Sequence, residues 1–392
     1  MIETLFFVML TEVVLGGGGR TFAFGPITLR MLLFAACLLT WMAATLSSTK
    51  RRDGQGLAIL LVVSFFASLI PGLLVDAANG TDIKTIALEL QPLLFWLLAP
   101  FIAMALQDEG AVRRSATIIL YGGLAVAVVT MAIMFGLQNG FVDFGRFYIW
   151  STNSGEIFFR SPSNFFYKGD FYIGVSAIFC VSLREKAWKI ICIILLASVV
   201  MSLTRGLYLA VMFGMVLSLI STRRSLSLLL VLIAGTVFLI LYGNVLVDFV
   251  FDPSRRISYQ GRISDLTYFL ETFDYKTLLF GEGTGTLLHG RQEVENSFVW
   301  SIWRFGVINL LFWMMPLVIA VNYFRKIPYA DESYRLAVAF FCGLIMLYVL
   351  TNTNPFINNS IGLIFAICAI FSLRRLSIIA RLRVNLRSVN LT

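Results

Sequence analysis

Four arginines stand in polar segments between long apolar runs and could bind an anion. They are Arg160, Arg205, Arg262 and Arg291. A guanidinium presents a planar fork of N–H donors, which matches phosphate oxygens better than an ammonium does. Arg205 is the most informative, because the segment SLTRGLYLAV places it between two apolar runs, where a charge needs a partner. A structural role, as an interfacial arginine or in an ion pair, stays open for it.

A second polar group directly precedes an apolar run. Glu293 and Glu295 come first, and Asn296 or Ser297 is a plausible N-cap for the helix that follows. Glu295 would then lie beside the positive end of a helix dipole. It could stabilise that helix, or it could act as a general base or as an acceptor that orients a sugar hydroxyl.

Three further motifs carry weaker signals. The glycine-rich string GEGTG could cradle phosphate, but no Lys-Ser/Thr follows it, so we interpret it as a flexible turn. His289 has no partner at metal-ligand spacing, and no DxD motif stands in the external segments, so we predict neither a metal site nor a cofactor. Asparagine amides suit turns and also carbohydrate hydroxyls. Asn164 and, in TNTNPFINNS, Asn354 are therefore candidate substrate-binding residues.

The composition is that of a membrane protein. Of the 392 residues 58% are hydrophobic and only 14% are charged, whereas a soluble domain has about 25% charged residues. The five cysteines all fall in apolar runs, where packing is their expected role. The basic residues are scattered as loop anchors, which does not favour nucleic-acid binding. We predict an all-α polytopic membrane protein, with a single integral membrane domain over residues 1–392.

Twelve apolar windows predict about 12 transmembrane helices, because about 20 apolar residues cross a bilayer. They lie near 3–16, 28–46, 57–75, 84–106, 115–136, 166–183, 187–203, 206–221, 226–246, 297–322, 335–350 and 358–373. The first window is short and carries Glu12, but with no cleavable signal peptide we expect it to remain as a membrane helix. Only TRG separates the windows 187–203 and 206–221, which predicts a tight helical hairpin or a re-entrant feature.

Charge predicts the orientation of these helices. Alternate loops and the C-terminal tail contain 18 of the 31 Lys and Arg residues, but only six of the 22 Asp and Glu residues. Basic loops stay on the cytoplasmic side. Both termini are therefore expected to be cytoplasmic, and the basic tail 374–392 is expected to lie on anionic membrane lipids.

Two long loops fall on the opposite side of the membrane. They cover 137–165 and 247–296, and loops of this length are usually functional or disordered. Their aromatic content argues against disorder. In the second loop, residues 262–275 have apolar residues at helical spacing, which predicts an amphipathic helix at the outer surface.

The order of these features resembles the O-antigen ligase and polymerase superfamily of bacterial inner-membrane glycan transferases. The matching pieces are FFRSPSNFF, SLTRG, GRISDLTYF, LLFGEGTG, EVENSFVWSIWRFGVINLLF and NTNPFINNSIG, which span about 140–370 in the order of that family. The resemblance implies a periplasmic active site and glycan donors and acceptors carried on undecaprenyl pyrophosphate. It implies that Arg160, Arg205 and Arg262 bind the pyrophosphate.

One position departs from the ligases of that superfamily, which usually have histidine before the asparagine of the late span. Here Glu295 precedes Asn296, which favours a polymerase of O-antigen or exopolysaccharide units. Arg205, Arg262 and Glu295 are the expected catalytic residues, with Arg160, Arg291 and the asparagines binding substrate. A chain-length regulator is a candidate partner. The alternatives are a ligase that transfers glycan to lipid A-core and, in another class, a flippase or transporter of lipid-linked oligosaccharide.

Overall fold

The computed structural model describes residues 1–25, 27–47, 53–184, 187–223, 256–288, 290 and 296–389, without the side chains of 24, 256–263 and 387–389. The α-helices are α1 (Ile2–Leu15), α2 (Leu29–Leu46), α3 (Gln55–Asn79), α4 (Ile83–Leu90), α5 (Ala99–Ala105), α6 (Glu109–Gln138), α7 (Phe144–Ser154), α8 (Asp170–Leu183), α9 (Trp188–Met201), α10 (Arg205–Ser221), α11 (Arg256–Thr272), α12 (Tyr275–Phe280), α13 (Ser297–Phe305), α14 (Val307–Phe324), α15 (Tyr334–Leu350) and α16 (Ser360–Val389). A 3₁₀ segment, Gln91–Leu98, joins α4 to α5.

Two short antiparallel hairpins interrupt the helices. Strands β1 (Ala23–Phe24) and β2 (Ile27–Thr28) pair before α2. Strands β3 (Ile157–Phe159) and β4 (Phe165–Tyr167) pair between α7 and α8, with Ile157 opposite Tyr167 and Phe159 opposite Phe165. The second hairpin lies within the first predicted long loop and at the start of the window 166–183, so α8 begins at Asp170.

The architecture is that of an all-α, multi-pass membrane protein. Among the described residues, six helical segments are long and apolar enough to cross a membrane. They are α2, α3, the segment 83–105 through the 3₁₀ turn, α6, α14 and α16. The apolar helices α8, α9, α10 and α15 are shorter. The window 226–246 lies outside the described residues, so the count of twelve spans stays a prediction.

The helices differ sharply in burial, which separates central helices from lipid-facing ones. The apolar window of α16 is 78% buried, whereas that of α2 is only 11% buried. Lipid is as apolar as leucine, so membrane helices associate through close packing and interhelical hydrogen bonds. At the α6–α8 contact, for example, the Ser176 hydroxyl donates to the carbonyl of Ile119 over 2.7 Å. All five cysteines are free and buried, as expected of packing residues.

Contacts between the loops sort them into two sets, at the two ends of the bundle. At one end, Asp53 accepts from Arg374, and Arg383 bridges Glu109 and Asp331. These residues all come from segments assigned to the cytoplasm by charge, and we call this end the predicted inner end. The other end, with loops 16–28, 139–169, 202–204 and 351–359, is the predicted outer end.

The basic tail 374–392 was predicted to lie on anionic lipids, which stays a prediction, and it also makes contacts within the protein. It continues α16 to Val389, and two of its arginines bind protein carboxylates. Arg374 pairs with Asp53, and Arg383 lies 2.6 Å from Glu109 and 3.0 Å from Asp331. The hydrogen bond from Arg374 is the main reason why the pKa of Asp53 lies below its usual value.

The amphipathic helix predicted for 262–275 is α11, which ends earlier, at Thr272. Only part of its predicted apolar face packs inward. Phe269 is buried and its ring lies 6.3 Å from that of Trp303. Leu266 and Leu270 are exposed.

Candidate active site

Predicted site residues from distant parts of the chain meet around the first turn of α10. The amide nitrogen of Asn164 donates to the carbonyl of Met201, which ends α9, over 3.0 Å. On another side, Gly206 faces the turn 351–359 so closely that a Cβ on it would lie 2.2 Å from Oγ1 of Thr353 and 3.4 Å from Nδ2 of Asn354. The structure therefore brings Asn164 to the end of α9 and Asn354 to Gly206, the residue after Arg205.

Asn296 joins the same group through α13. Its side-chain oxygen accepts the N–H groups of Phe298 and Val299 at 2.9 and 3.2 Å, which confirms it as the N-cap of that helix. The N–H of Ser297 donates to the carbonyl of Thr351 over 3.2 Å. The start of α13 is thus fixed against the turn that also packs on Gly206.

Arg205 is the first residue of α10 and is half-buried. The hydroxyl of Thr204, the N-cap residue, donates to the carbonyl of Ser202 and does not cap the helix. Leu203 has a φ of 51°, a left-handed conformation that costs a bulky residue strain. The first N–H groups of a helix and its dipole favour an anion. With the Arg205 guanidinium beside them, they could stabilise negative charge on a phosphate.

Arg160 is exposed near the tip of the β3–β4 hairpin. Its backbone N–H donates to the carbonyl of Asn164 over 2.9 Å, which closes the tip. The side chain of Asn164 is engaged in structure: besides the bond to α9, its oxygen accepts from the hydroxyls of Ser161 and Ser163, both at 3.1 Å. Asn164 therefore anchors the hairpin that presents Arg160.

The other predicted site residues lie beyond what the structure describes. Arg291 and Glu295 are outside the described residues, as is His289. Arg262 lies in α11, but its side chain is not described. The common cavity predicted for Arg205, Arg262 and Glu295 stays a prediction.

The sequence did not reveal the role of the GEGTG string, which is a fixed loop. Asp76 of α3 is buried. Its carboxylate accepts the N–H of Thr284 at 2.8 Å, the hydroxyl of Thr284 at 2.9 Å and the N–H of Gly285 at 3.3 Å. The guanidinium of Arg304, which is fully buried, donates to the carbonyls of this loop and lies 3.7 Å from Glu89. The N–H groups that a phosphate would use are bound to a carboxylate, so this loop is not a phosphate cradle.

The residues just before that loop are fixed as well. The side chain of Asp274 caps α12 by accepting the N–H of Thr277 over 2.7 Å. This hydrogen bond lowers the pKa of the Asp274 carboxyl. The Thr277 hydroxyl donates to Glu282 over 2.5 Å, and the N–H of Glu282 donates to the carbonyl of Trp303 over 2.6 Å. The chain therefore enters the segment that contains Glu295 from a defined position.

A groove of about 530 Å³ lies elsewhere, between α1 and α2. Its walls are largely apolar and include Phe7, Val8 and Leu15 of α1 with Leu29 and Leu33 of α2. Such a groove between two membrane helices suits a lipid chain. Among the described residues, none of the predicted site residues lines it.

Replacing Gly206 by alanine is expected to reduce activity about 10–100-fold, since a displacement of about 1 Å at a site can cost that much. The new methyl group would collide with Thr353 and push the turn 351–359 away from Arg205. The measurement is product formation per folded protein. Gly56→Ala is the control, because a Cβ at Gly56 meets nothing within 4 Å. Equal activity in the two variants would contradict the assembled site.

Comparison with known proteins gives one full-length similarity. The chain is 25% identical over 372 residues to a protein of Shigella flexneri described as an O-antigen polymerase. The alignment covers 92% of each chain. No protein-family model matches the chain, and no solved structure matches it.

Proposed function

We propose, on the similarity that supports membership of this chain in the O-antigen polymerase family, that it is a membrane glycosyltransferase that polymerises lipid-linked oligosaccharide repeat units. The observation that carries the proposal is that this similarity runs through nearly the whole of both chains. The gathering of Arg160, Arg205, Asn296 and Asn354 at one end of the bundle supports it, because these residues suit phosphate and sugar groups.

The donor in this proposal is a growing glycan on undecaprenyl pyrophosphate, and the acceptor is a new lipid-linked unit. A hydroxyl at the non-reducing end of the acceptor attacks the anomeric carbon of the donor. A glycosidic C–O bond forms, the bond from that carbon to the pyrophosphate oxygen breaks, and undecaprenyl pyrophosphate leaves with the electron pair. The acceptor proton passes to a base, for which Glu295 is our candidate.

Arg205 serves the departure of the pyrophosphate. Negative charge grows on the leaving oxygen, and donors that are already in place stabilise it most where water is excluded. Arg205 is half-buried at the positive end of α10, and Arg160 stands on the neighbouring hairpin. Asn296 and Asn354 would hold the acceptor in line, which is a positioning effect. This chemistry requires no metal ion or cofactor.

The proposed site faces the periplasm of the bacterial inner membrane. The support is the charge pattern, which assigns both termini and the basic loops to the cytoplasm. The residues that gather around the start of α10 lie in loops of the predicted outer end or, like Arg205 and Asn296, at helix starts that contact those loops. A pyrophosphate-activated glycan suits that compartment, because it carries its own leaving group where ATP is absent.

The glycan banding pattern of a deletion strain tests this function. Deleting the gene is expected to leave single repeat units on the lipid A-core, and the wild-type gene should restore long chains. If the core instead lost its glycan while long lipid-linked chains accumulated, the protein would be a ligase. Loss of lipid-linked units from the periplasmic face would indicate a flippase.

A further inference from the structure

The base of the β3–β4 hairpin is tied to the loop that joins α1 to the first hairpin. Glu156, which precedes β3 and is 1% exposed, accepts the N–H of Gly18 at 2.5 Å and of Arg20 at 2.8 Å. Tyr167, which ends β4, donates its hydroxyl to the carbonyl of Leu15 over 2.8 Å. The two ends of the hairpin, at Glu156 and Tyr167, are therefore both hydrogen-bonded to the short segment 15–20.

The turn 351–359 is tied to the same region by a buried ion pair. Nε of Arg30 lies 2.8 Å from Oε2 of Glu12, and Nη2 lies 3.2 Å from Oε1. Nη1 of Arg30 donates to the hydroxyl of Ser360, directly after the turn, over 2.8 Å. Glu12 and Arg30 are buried, at 5% and 2% exposure.

The tetraglycine 16–19 connects these two sets of contacts. A Cβ on its first glycine would lie 2.6 Å from Oε1 of Glu12. A Cβ on its third would lie 2.6 Å from Oε2 of Glu156, and on its fourth 3.1 Å from Cζ of Arg30. A Cβ on its second glycine would lie 2.7 Å from Cζ of Tyr167. No side chain fits among the two carboxylates, the guanidinium and the tyrosine ring, which explains the four consecutive glycines.

We propose that these contacts form a positioning device, the polar brace, which sets the separation between the β3–β4 hairpin and the turn 351–359. The polar brace consists of Glu12, Arg30, Glu156, Tyr167 and Ser360. It holds the hairpin that carries Arg160 and the turn that carries Asn354 near the start of α10, so that the hairpin faces the donor diphosphate and the turn faces the acceptor. This inference rests on the proposed function for its substrate, but the separation itself is a property of the fold.

Stability alone is a poor explanation of the polar brace. Removing two charges from water often costs more free energy than their attraction gains. Apolar residues of the same size in place of a buried ion pair commonly give a protein that is at least as stable. Charged residues within membrane helices are expensive and usually functional. The brace bonds also join segments far apart in sequence, such as Gly18 to Glu156 and Arg30 to Ser360, which is what positioning requires.

A distance measurement tests the geometry without any substrate. Cysteines replace Pro162 at the hairpin tip and Asn352 in the turn, both exposed, while the five native cysteines are buried. Spin labels on this pair in nanodiscs should give a narrow distance distribution. Glu156→Gln should broaden or shift this distribution. The N–H groups of Gly18 and Arg20 bind different oxygens of the carboxylate, and a glutamine has only one oxygen. Arg383→Gln, which breaks an ion pair at the predicted inner end, should leave the distribution unchanged.

Kinetics on the reconstituted enzyme provide the second readout. Glu156→Gln is expected to raise the KM for the lipid-linked repeat unit about 10–100-fold, with a smaller change in kcat, because it misplaces the hairpin and the turn whose residues bind substrate. Arg383→Gln should leave KM unchanged, although it also breaks two ion pairs, which are partly exposed. Thermal unfolding of both variants reports the folded fraction. Gly18→Ala should reproduce Glu156→Gln, and Gly145→Ala, with ordinary contacts only, should not.

Three results would overturn the polar brace. An unchanged distance distribution in Glu156→Gln would mean that the hairpin is held without it. An unchanged KM in an active, folded variant would mean that the separation does not matter for substrate. An equal rise of KM in Glu156→Gln and Arg383→Gln would mean that the rise comes from general destabilisation of the protein and not from the polar brace. If instead the wild-type protein formed no polymer while the distribution still broadened, the proposed function would fall and the positioning role would stand.

Discussion

Replacing Arg205 by alanine is expected to lower the polymerisation rate about 10²–10³-fold, the cost of removing one donor from an oxyanion site. Arg205 is the first residue of α10, at the positive end of the helix, and the segments of Asn164 and Asn354 both pack nearby. Because the charge on the pyrophosphate grows as the bond breaks, the loss should fall mainly on kcat. The measurement is chain extension from lipid-linked repeat units in nanodiscs, normalised to folded protein.

Two control variants make the result specific. Arg205→Lys keeps the charge but loses the planar fork, so it should recover only part of the rate. Arg223→Ala removes an arginine just after the opposite end of α10, where it stacks 4.7 Å over the Tyr329 ring, and should leave the rate unchanged. Long chains at a normal rate from Arg205→Ala would refute the role of Arg205.

The helices were largely predictable from the sequence, because a membrane helix must be a long apolar run whatever it packs against. The end of α16 was less predictable. Its arginines were expected to face lipid headgroups, whereas Arg374 binds Asp53, 321 residues away. A local charge count identifies the side of the membrane but not a partner so distant in sequence.

For the candidate site, the sequence indicated which residues could take part better than it indicated what each residue does. Asn296 is the helix cap that its position before an apolar run indicated. Asn164 was predicted to bind substrate, which stays a prediction; in the structure its side-chain oxygen accepts from Ser161 and its nitrogen donates to Met201. An asparagine suits a structural and a binding task equally, so its residue type could not reveal these contacts.

The buried charged residues could be recognised in the sequence, but their partners could not. Glu12 and Arg30 both stand inside apolar windows, where an isolated charge is costly. Sequence could indicate that each needs a partner, but not that they pair with one another and with Ser360. Asp76 is similar, since its partners lie in a loop 208 residues later.

Replacing Asp76 by alanine is expected to destabilise the protein by about 3–5 kcal/mol, the cost of removing one member of a buried charged set. Its carboxylate accepts three donors from the GEGTG loop, and hydrogen bonds to a charged group contribute about 1.5–3 kcal/mol each. Without it, the buried Thr284 would lose the acceptor of both its N–H and its hydroxyl. Thermal or denaturant unfolding in nanodiscs would measure the loss.

The Asp76 result can be tied to the loop by a double-mutant cycle. Arg304 holds the carbonyls of the same loop, so Arg304→Met combined with Asp76→Ala should cost less than the sum of the single changes. Asp82→Ala removes an exposed carboxylate nearby and should change stability by no more than about 0.5 kcal/mol. Fully additive costs would mean that the two residues act separately. If they act together, activity should fall with stability, because the same loop leads the chain toward Glu295 and the start of α13.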